Sequence, residues 1–255
     1  MAKDSTGRTG EPPVLKPWPK RPARLAQAVT ETLTDSIVSG AIPPGSILPV
    51  EPELCETFGV SRITVREAVK SLEAKGLVLA RQGYGTTVTP PEEWNLLDPV
   101  VLAATVQHDD QLVVLDQLVD IRSTLEAQMT AQAAELATDE DLRDIERLLV
   151  RLDEETAVPA RFIETDVAFH DRIMQASHNR LGRSIIRILH AQARTTFLYN
   201  GTPDVTACER ANAEHRAVAE RLLARDSEGA AQAMAAHITT AWNRRRVPNV
   251  GSPAS

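Results

Sequence analysis

The stretch from Gly59 to Val78, "GVSRITVREAVKSLEAKGLV", constrains the fold of this chain more than any other segment. Its apolar residues recur at the i, i+3, i+4 and i+7 spacing of one buried helix face: Val65, Ala68, Val69 and Leu72. Ser61 is a good N-cap for this helix, and Gly76 follows its expected end near Lys75. The segment therefore predicts a short amphipathic helix that follows a tight turn.

Helix-breaking residues divide the flanking sequence into further short elements. Upstream, a helical pattern begins at Arg24, ends before "SGAIPPGS", and has one apolar stripe: Leu25, Val29, Leu33 and Ile37. A second helix is expected from about Glu51 to Phe58. Downstream, "LVLARQGYGTTV" places two β-prone runs around Gly83-Tyr84-Gly85, which predicts a hairpin. Three helices, a turn and a hairpin over residues 23–90 are the layout of a winged helix-turn-helix.

Arg62, Arg66 and Lys70 lie four residues apart, on the side opposite the buried stripe. A cationic stripe on the second helix of a helix-turn-helix motif, here the helix that begins after Ser61, suits the major groove of a duplex. There arginine can donate paired hydrogen bonds to guanine O6 and N7. Hydroxyls of Ser61 or Thr64 can contact phosphates, and a hairpin tip at Gly83 and Tyr84 can approach the minor groove or the backbone closely. The alternative, a solvated helix face, remains open for the stripe taken alone.

Charge is divided unevenly along the chain, whose net charge is −7. Residues 1–90 carry 11 Lys+Arg against 9 Asp+Glu, and the remainder carries 17 against 26. The first part is thus the more tolerant of phosphates. The sequence shows no apolar run long enough to cross a membrane and no secretory signal, and Cys55 and Cys208 do not form a disulfide framework. We therefore expect a cytoplasmic protein without a membrane partner.

The remaining sequence predicts a mainly α fold, with an all-α helical bundle after the winged helix-turn-helix. Residues 1–22 are expected to be a disordered arm, 91–109 a linker, 110–246 an effector-binding and dimerisation domain, and 247–255 a tail. Helices in the bundle are predicted at about 111–137, 139–153, 160–177, 181–199, 205–225 and 227–245. Thr138 and Asp226 are placed as N-caps, and Pro159 as a first helical residue.

Polar residues in the second domain suggest a metal site. Asp166 and His170 lie four residues apart on one helix face, while His215 and His237 each lie beside an apolar stripe on later helices. Three imidazoles and a carboxylate that converge inside a bundle could bind zinc, nickel or manganese. Each histidine taken singly is equally compatible with a hydrogen-bonded structural role.

The sequence "SGAIPPGSILPVEPELCETFGVSRITVREAVKSLEAKGLV", followed by "RQGYGTTV", resembles the DNA-binding domain of the GntR family of bacterial transcription regulators. The resemblance implies that Arg62, Arg66 and Gly83 contact operator DNA. One departure concerns the triplet Glu51-Pro52-Glu53, where the family usually has an arginine that reaches DNA. Proline suits the first turn of a helix, so the fold is expected to survive while one cationic contact is lost.

Residues of about 110–245 resemble the all-helical FCD domain of the FadR-type branch of that family, through "IRSTLE", "DVAFHDRIMQASHNRLG", "HRAVAERLLARD" and "MAAHI". The resemblance implies that a divalent metal ion is held by four residues: Asp166, His170, His215 and His237. His108, His178 and His190 match no ligand position, and surface or structural roles are expected for them.

The same resemblance implies an effector site for a small carboxylate. Arg122 matches the arginine that meets effector carboxylates in related regulators, but an ion pair with Glu126 is an equal alternative. Asn179 is a candidate effector contact, although a turn residue is the stronger expectation. The linker "EEWNLLDPVVLAA" resembles regulators of sugar-acid catabolism, which suggests a sugar acid as effector.

Three functions are compatible with these features. The first is a homodimeric regulator, most often a repressor in this family, that binds palindromic double-stranded operator DNA and responds to the carboxylate. The alternative is a metal-dependent enzyme of small carboxylates that carries a DNA-binding domain. A zinc enzyme needs a general base besides its ligands, and none is assigned, so we predict no catalytic residues. The third is an architectural protein whose second domain only dimerises.

Overall fold

A computed structural model describes residues 22–195 and 204–246 of the chain. The predicted arm (1–22, apart from its last residue), the predicted tail (247–255) and the last residues of the helix expected at 181–199 lie outside these ranges. Within them the protein is mainly helical, with one two-stranded sheet. The predicted fold class is confirmed.

The winged helix-turn-helix domain contains three helices and a hairpin: α1 (Pro22–Val38), α2 (Glu51–Phe58), α3 (Arg62–Ala74), β1 (Val78–Arg81) and β2 (Gly85–Val88). The strands are antiparallel, and their register runs from Val78 opposite Val88 to Arg81 opposite Gly85. Residues of all three helices and both strands form one apolar core. This packing holds α3 by its apolar face, so its opposite face remains exposed.

Local signals explain the boundaries of these helices. The Ser61 hydroxyl accepts a hydrogen bond from the Thr64 N–H and so caps α3. Gly59, at φ +63°, ends α2 in the left-handed conformation that glycine adopts without steric cost. One expectation for the apolar stripe of α1 is wrong, since Leu25 is 53% exposed. The stripe extends beyond the part of α1 that other elements of the domain cover. Val29, Leu33 and Ile37 are buried.

The segment between the domains contains a helix that the sequence analysis did not predict. A 3-10 turn (Pro91–Glu93) precedes α4 (Pro99–Gln107), which Asp98 caps by accepting hydrogen bonds from two backbone N–H groups. Val101 belongs to the core of the winged helix-turn-helix domain, whereas Leu102 and Val106 belong to the core of the bundle. The helix α4 therefore packs into both domains rather than spanning the space between them.

Six helices form the described part of the bundle: α5 (Val113–Leu136), α6 (Asp139–Glu155), α7 (Pro159–Ala176), α8 (Arg180–Thr195), α9 (Val205–Leu223) and α10 (Ser227–Arg245). The helices α5 and α10 pack closely along each other, as do α6 with α7 and α9 with α10. The predicted N-caps Thr138 and Asp226 are confirmed by side-chain hydrogen bonds to backbone N–H groups, and Pro159 opens α7. None of the described helices combines the length and apolar character that crossing a bilayer requires.

We predict that Gly76→Ala destabilises the winged helix-turn-helix domain more than Gly59→Ala does. Both glycines have positive φ, but a Cβ at Gly76 would lie 2.2 Å from the carbonyl oxygen of Glu93, whereas nothing lies within 4 Å of one at Gly59. Gly59→Ala is the control, and its free energy of unfolding should fall only by the conformational cost of about 1–2 kcal/mol. Urea unfolding of both variants measures the difference, and equal free energies of unfolding would contradict it.

Candidate functional site

The cationic face predicted for α3 faces solvent. Arg62, Arg66 and Lys70 are all exposed, and the Arg66 side chain retains 65% of its accessible surface. Its Nε donates to both carboxylate oxygens of Glu51, at 2.8 and 3.0 Å. Hydrogen bonding to Glu51, reinforced by the charge attraction between the two groups, raises the pKa of Arg66. The guanidinium is therefore fixed at the surface and remains accessible.

The other DNA-contact candidates differ in accessibility. Tyr84 is 78% exposed at the hairpin tip, next to Gly83, whose φ of +81° suits a tight turn. Ser61 is exposed, but Thr64 is only 3% exposed and its hydroxyl lies 2.9 Å from that of Ser61. The Thr64 hydroxyl thus already has a partner at the start of α3, which the sequence did not indicate.

Pro52 leaves the second helix intact, as its position in the first turn predicted. The residue is exposed and lies in the first turn of α2, where a missing N–H costs no helical hydrogen bond. The carboxylate of Glu53 accepts a hydrogen bond from the Val50 N–H at 3.3 Å and helps to cap the helix. The first turn consequently contains two carboxylates and no cation.

Three bundle helices bring the four predicted metal ligands together. Asp166 and His170 come from α7, His215 from α9 and His237 from α10. Their candidate ligand atoms all lie within 4.8 Å of one another, and the three histidines are buried. The Asp166 side chain is 29% exposed, so the cluster has its most open side at this carboxylate.

The inner atoms of the cluster have the spacing of a coordination sphere. The Nε2 of His237 lies 3.3 Å from that of His170 and 3.1 Å from that of His215, and Asp166 Oδ1 lies 3.0 Å from His215 Nε2. Ligands at about 2.0–2.2 Å from one ion, at angles near 90–110°, are about 3.0–3.4 Å apart. The residues present therefore fit a divalent cation.

Two acidic residues outside the cluster, Glu126 and Glu214, form hydrogen bonds with the outer nitrogens of two imidazoles. His170 Nδ1 lies 2.7 Å from Glu126 Oε2, and His237 Nδ1 lies 2.9 Å from Glu214 Oε2. An ionised carboxylate only accepts hydrogen bonds, so both rings hold a proton on Nδ1 and direct Nε2 inward. This is the tautomer that metal-ligating histidines use.

Electrostatics favour a neutral His237 and an ionised Glu214. Burial, followed by repulsion from His215, lowers the pKa of His237 to about 3. Burial alone would raise the pKa of Glu214, but hydrogen bonds from His237 and Arg244 outweigh it, and the pKa falls to about 2. Burial alone would likewise raise the pKa of Asp166. The hydrogen bond to His215 outweighs burial, so the pKa of Asp166 lies below its ordinary value. His237 is thus neutral at neutral pH, while Glu214 and Asp166 are ionised.

Arg122 forms an ion pair with Glu126, and Asn179 lies in a turn, as in the alternatives to an effector contact that were stated for these two residues. Arg122 is 5% exposed, and its Nε donates to Glu126 Oε1 at 2.7 Å. Asn179 precedes α8, and its Oδ1 accepts from the Gly182 N–H at 2.9 Å. Arg122 is linked through Glu126 to His170, so it lies one residue away from the candidate metal ligands.

The remaining histidines have distinct surroundings. His190 is buried and its Nε2 lies 3.1 Å from Glu126 Oε1, so it joins the outer part of the cluster. His108 pairs with Asp35 of α1 at 2.8 Å, and His178 is exposed in the turn before α8. Sequence reasoning did not identify Glu126 as a partner of His170 or Glu214 as a partner of His237. The only signal for Glu126 was its spacing of four residues from Arg122.

Comparisons with known proteins agree with both domains. Residues 25–88 match the family described as bacterial regulatory proteins, gntR family, and residues 117–240 match the FCD domain. The chain is 34% identical to the HTH-type transcriptional regulator YieP of Escherichia coli (strain K12), over 82% of this chain and 90% of that protein. It is 31% identical to the galactonate operon transcriptional repressor of the same organism, over 84% and 93%.

A solved structure shares the fold at low sequence identity. It is the structure of Lar, described as controlling expression of the Listeria monocytogenes agr system. The TM-score is 0.58 at 18% identity, over 87% of this chain and 96% of the other. At this identity the likeness concerns the fold alone.

A winged helix-turn-helix whose third helix has an exposed cationic face, joined to a helical bundle, defines a DNA-binding transcriptional regulator rather than an enzyme. The chain belongs to the GntR family, in the group of members that carry an FCD domain.

We predict that His237 in the metal-free protein at neutral pH is neutral and protonated on Nδ1. The reason is that its Nδ1 faces the acceptor-only carboxylate of Glu214. Long-range ¹⁵N–¹H spectra of the imidazoles distinguish the two tautomers, and exposed His178 is the internal control for tautomer exchange. A His237 ring protonated on Nε2 would contradict the arrangement.

Proposed function

We propose that the protein is a homodimeric repressor whose binding to operator DNA is controlled by a small carboxylate at a metal centre in the FCD domain. The observation that carries the proposal is the convergence of Asp166, His170, His215 and His237 inside the bundle. The Nε2 atoms of His170 and His215 both lie within 3.3 Å of the His237 Nε2, which has no proton to share, and this inward convergence is the arrangement of a ligand set.

On the DNA side, α3 is the recognition helix. Arg62, Arg66 and Lys70 are exposed on one face and are available to bases or phosphates of the major groove. Tyr84 and Gly83 at the hairpin tip are available to the adjacent groove or backbone. Thr64 contributes through its bond to Ser61, which leaves the Ser61 side chain as the more accessible phosphate ligand of the pair.

A homodimer would present two such helices to a palindrome, since symmetric half-sites match a two-fold protein. An effector that prefers one arrangement of the two recognition helices by a few kcal/mol suffices to release the operator. The repressor role is supported by the relative named as the galactonate operon transcriptional repressor.

On the effector side, Asp166, His170, His215 and His237 would hold zinc, nickel or manganese. Bound there, the ion would supply a Lewis-acidic partner for a carboxylate. The partly exposed side at Asp166 is the approach to the cluster. Arg122 adds positive charge next to His170 through Glu126, and Asn179 remains a candidate contact at the start of α8. The galactonate relative supports a sugar acid or similar hydroxy-carboxylate as the effector.

Replacement of Arg66 tests the DNA side. We expect Arg66→Ala to remove specific operator binding, because each bidentate base contact is worth about 1–3 kcal/mol and a dimer makes it twice. Footprinting on a duplex that the wild-type protein selects from a random library measures the loss, with a sedimentation profile to show that assembly is unchanged. Arg161→Ala, which removes an exposed arginine from α7, is the matched control. An unchanged footprint for Arg66→Ala would refute the assignment.

Replacement of His215 tests the metal side. We expect His215→Ala to lower the metal content and to blunt release of the operator by sugar acids, because one inner ligand is lost. Elemental analysis measures the first effect and gel shifts with added carboxylates measure the second. The control is His178→Asn, which removes an exposed imidazole and keeps a residue that tolerates the positive φ of that position. Full metal occupancy in His215→Ala would exclude this residue from the site.

A further inference from the structure

The first residue of α2 contacts the recognition helix in an unusual way. Glu51 and Arg66 are 15 residues apart, and both oxygens of the Glu51 carboxylate accept from the single Nε–H of Arg66. A carboxylate that simply neutralises arginine more often takes the paired fork, in which the terminal nitrogens also take part. Here no described residue accepts a hydrogen bond from the terminal Nη atoms of Arg66.

We propose that Glu51 is a positioning residue for DNA readout: it holds Arg66 by Nε, so that the two Nη groups are presented to guanine in the major groove. This inference deepens the proposed function and rests on it. The chemistry recognised is the O6 and N7 acceptor pair of guanine, which two parallel N–H donors match.

The structure supports a role for Glu51 in selectivity rather than in stability. Arginine is a long, flexible side chain, and a group that is fixed before binding loses less freedom when it binds. The pair is well exposed, with 65% of the Arg66 side chain and 39% of the Glu51 side chain accessible. Exposed ion pairs contribute little to the free energy of folding, so a stabilising role does not account for the Glu51–Arg66 pair.

Charge in the first turn of α2 leads to the same conclusion. This turn carries Glu51 and Glu53 and has no cation, because Pro52 lies between them. Glu53 accepts from the Val50 N–H, and Glu51 accepts from Arg66. A carboxylate so close to a duplex weakens attraction to phosphates in any sequence, while the positioned arginine strengthens binding only where guanine is present.

The opposite role would be a latch, in which Glu51 holds Arg66 away from DNA. The geometry does not favour it, since the bond through Nε leaves the outer edge of the guanidinium accessible and need not break when a base is bound. The two roles predict opposite effects when Glu51 is removed, so one experiment separates them.

The test is selection of binding sites from a random duplex library by the full-length protein and its variants. We expect Arg66→Ala to lose the preference for guanine at one position of each half-site. Glu51→Ala should weaken that same preference about tenfold, and Glu51→Gln should weaken it less, because an amide oxygen still accepts from Nε. Preferences at all other positions should remain.

Glu56→Ala is the matched control, because it removes one exposed carboxylate from the same helix without contacting Arg66. It should raise affinity for non-specific duplex as much as Glu51→Ala does, yet leave the guanine preference intact. Thermal unfolding of all variants should coincide with that of the wild-type protein.

Three results would overturn the inference. If Arg66→Ala loses the guanine preference but Glu51→Ala keeps it, Glu51 does not position the arginine, while the proposed function stands. If Glu51→Ala binds the selected site more tightly with unchanged preference, Glu51 is a latch. If Arg66→Ala itself keeps the preference, the reading role of Arg66 in the proposed function fails as well.

Discussion

A carboxylate without solvent exposure, Glu126, organises the interior of the bundle. Burial alone would raise the pKa of Glu126, but Arg122 and then the imidazoles of His190 and His170 outweigh it and hold the pKa well below its ordinary range. The ionised group fixes the ring of His170, whose Nε2 then faces the ring of His237. A buried charge of this kind is tolerated only where its partners stay in place, so the orientation of the candidate metal ligands depends on the Arg122–Glu126 pair.

The helix α4 connects this interior to the DNA-binding domain. It places Val101 in one apolar core and Leu102 and Val106 in the other. It also packs against α1 and against α8, the helix that carries His190. Packed cores switch between discrete arrangements rather than deforming continuously. A change in the bundle that shifts α4 therefore reaches the DNA-binding domain through direct contacts, without a flexible tether between them.

Residues with strong local signals made most of the fold predictable. Caps such as Ser61 and Thr138, and the apolar stripe of α3, act through neighbours in sequence. The helix α4 was missed because it is apolar on nearly every side, so it has no amphipathic period. In the site, spacing and resemblance indicated Asp166, His170, His215 and His237, which the structure brings together. The partners of His170 and His237 arise from tertiary packing, and Glu51 meets Arg66 across a turn, so a single sequence does not reveal them.

The central claim is that the converging Nε2 atoms of the bundle, together with Asp166, form a divalent-metal site in a DNA-binding regulator. Anomalous diffraction from crystals of the full-length protein, with data on both sides of the absorption edges of zinc, nickel and manganese, tests it most directly. We expect one anomalous peak per chain, bonded to Asp166, His170, His215 and His237. Crystals that contain the metal elsewhere, or none between these side chains after soaking, would contradict it.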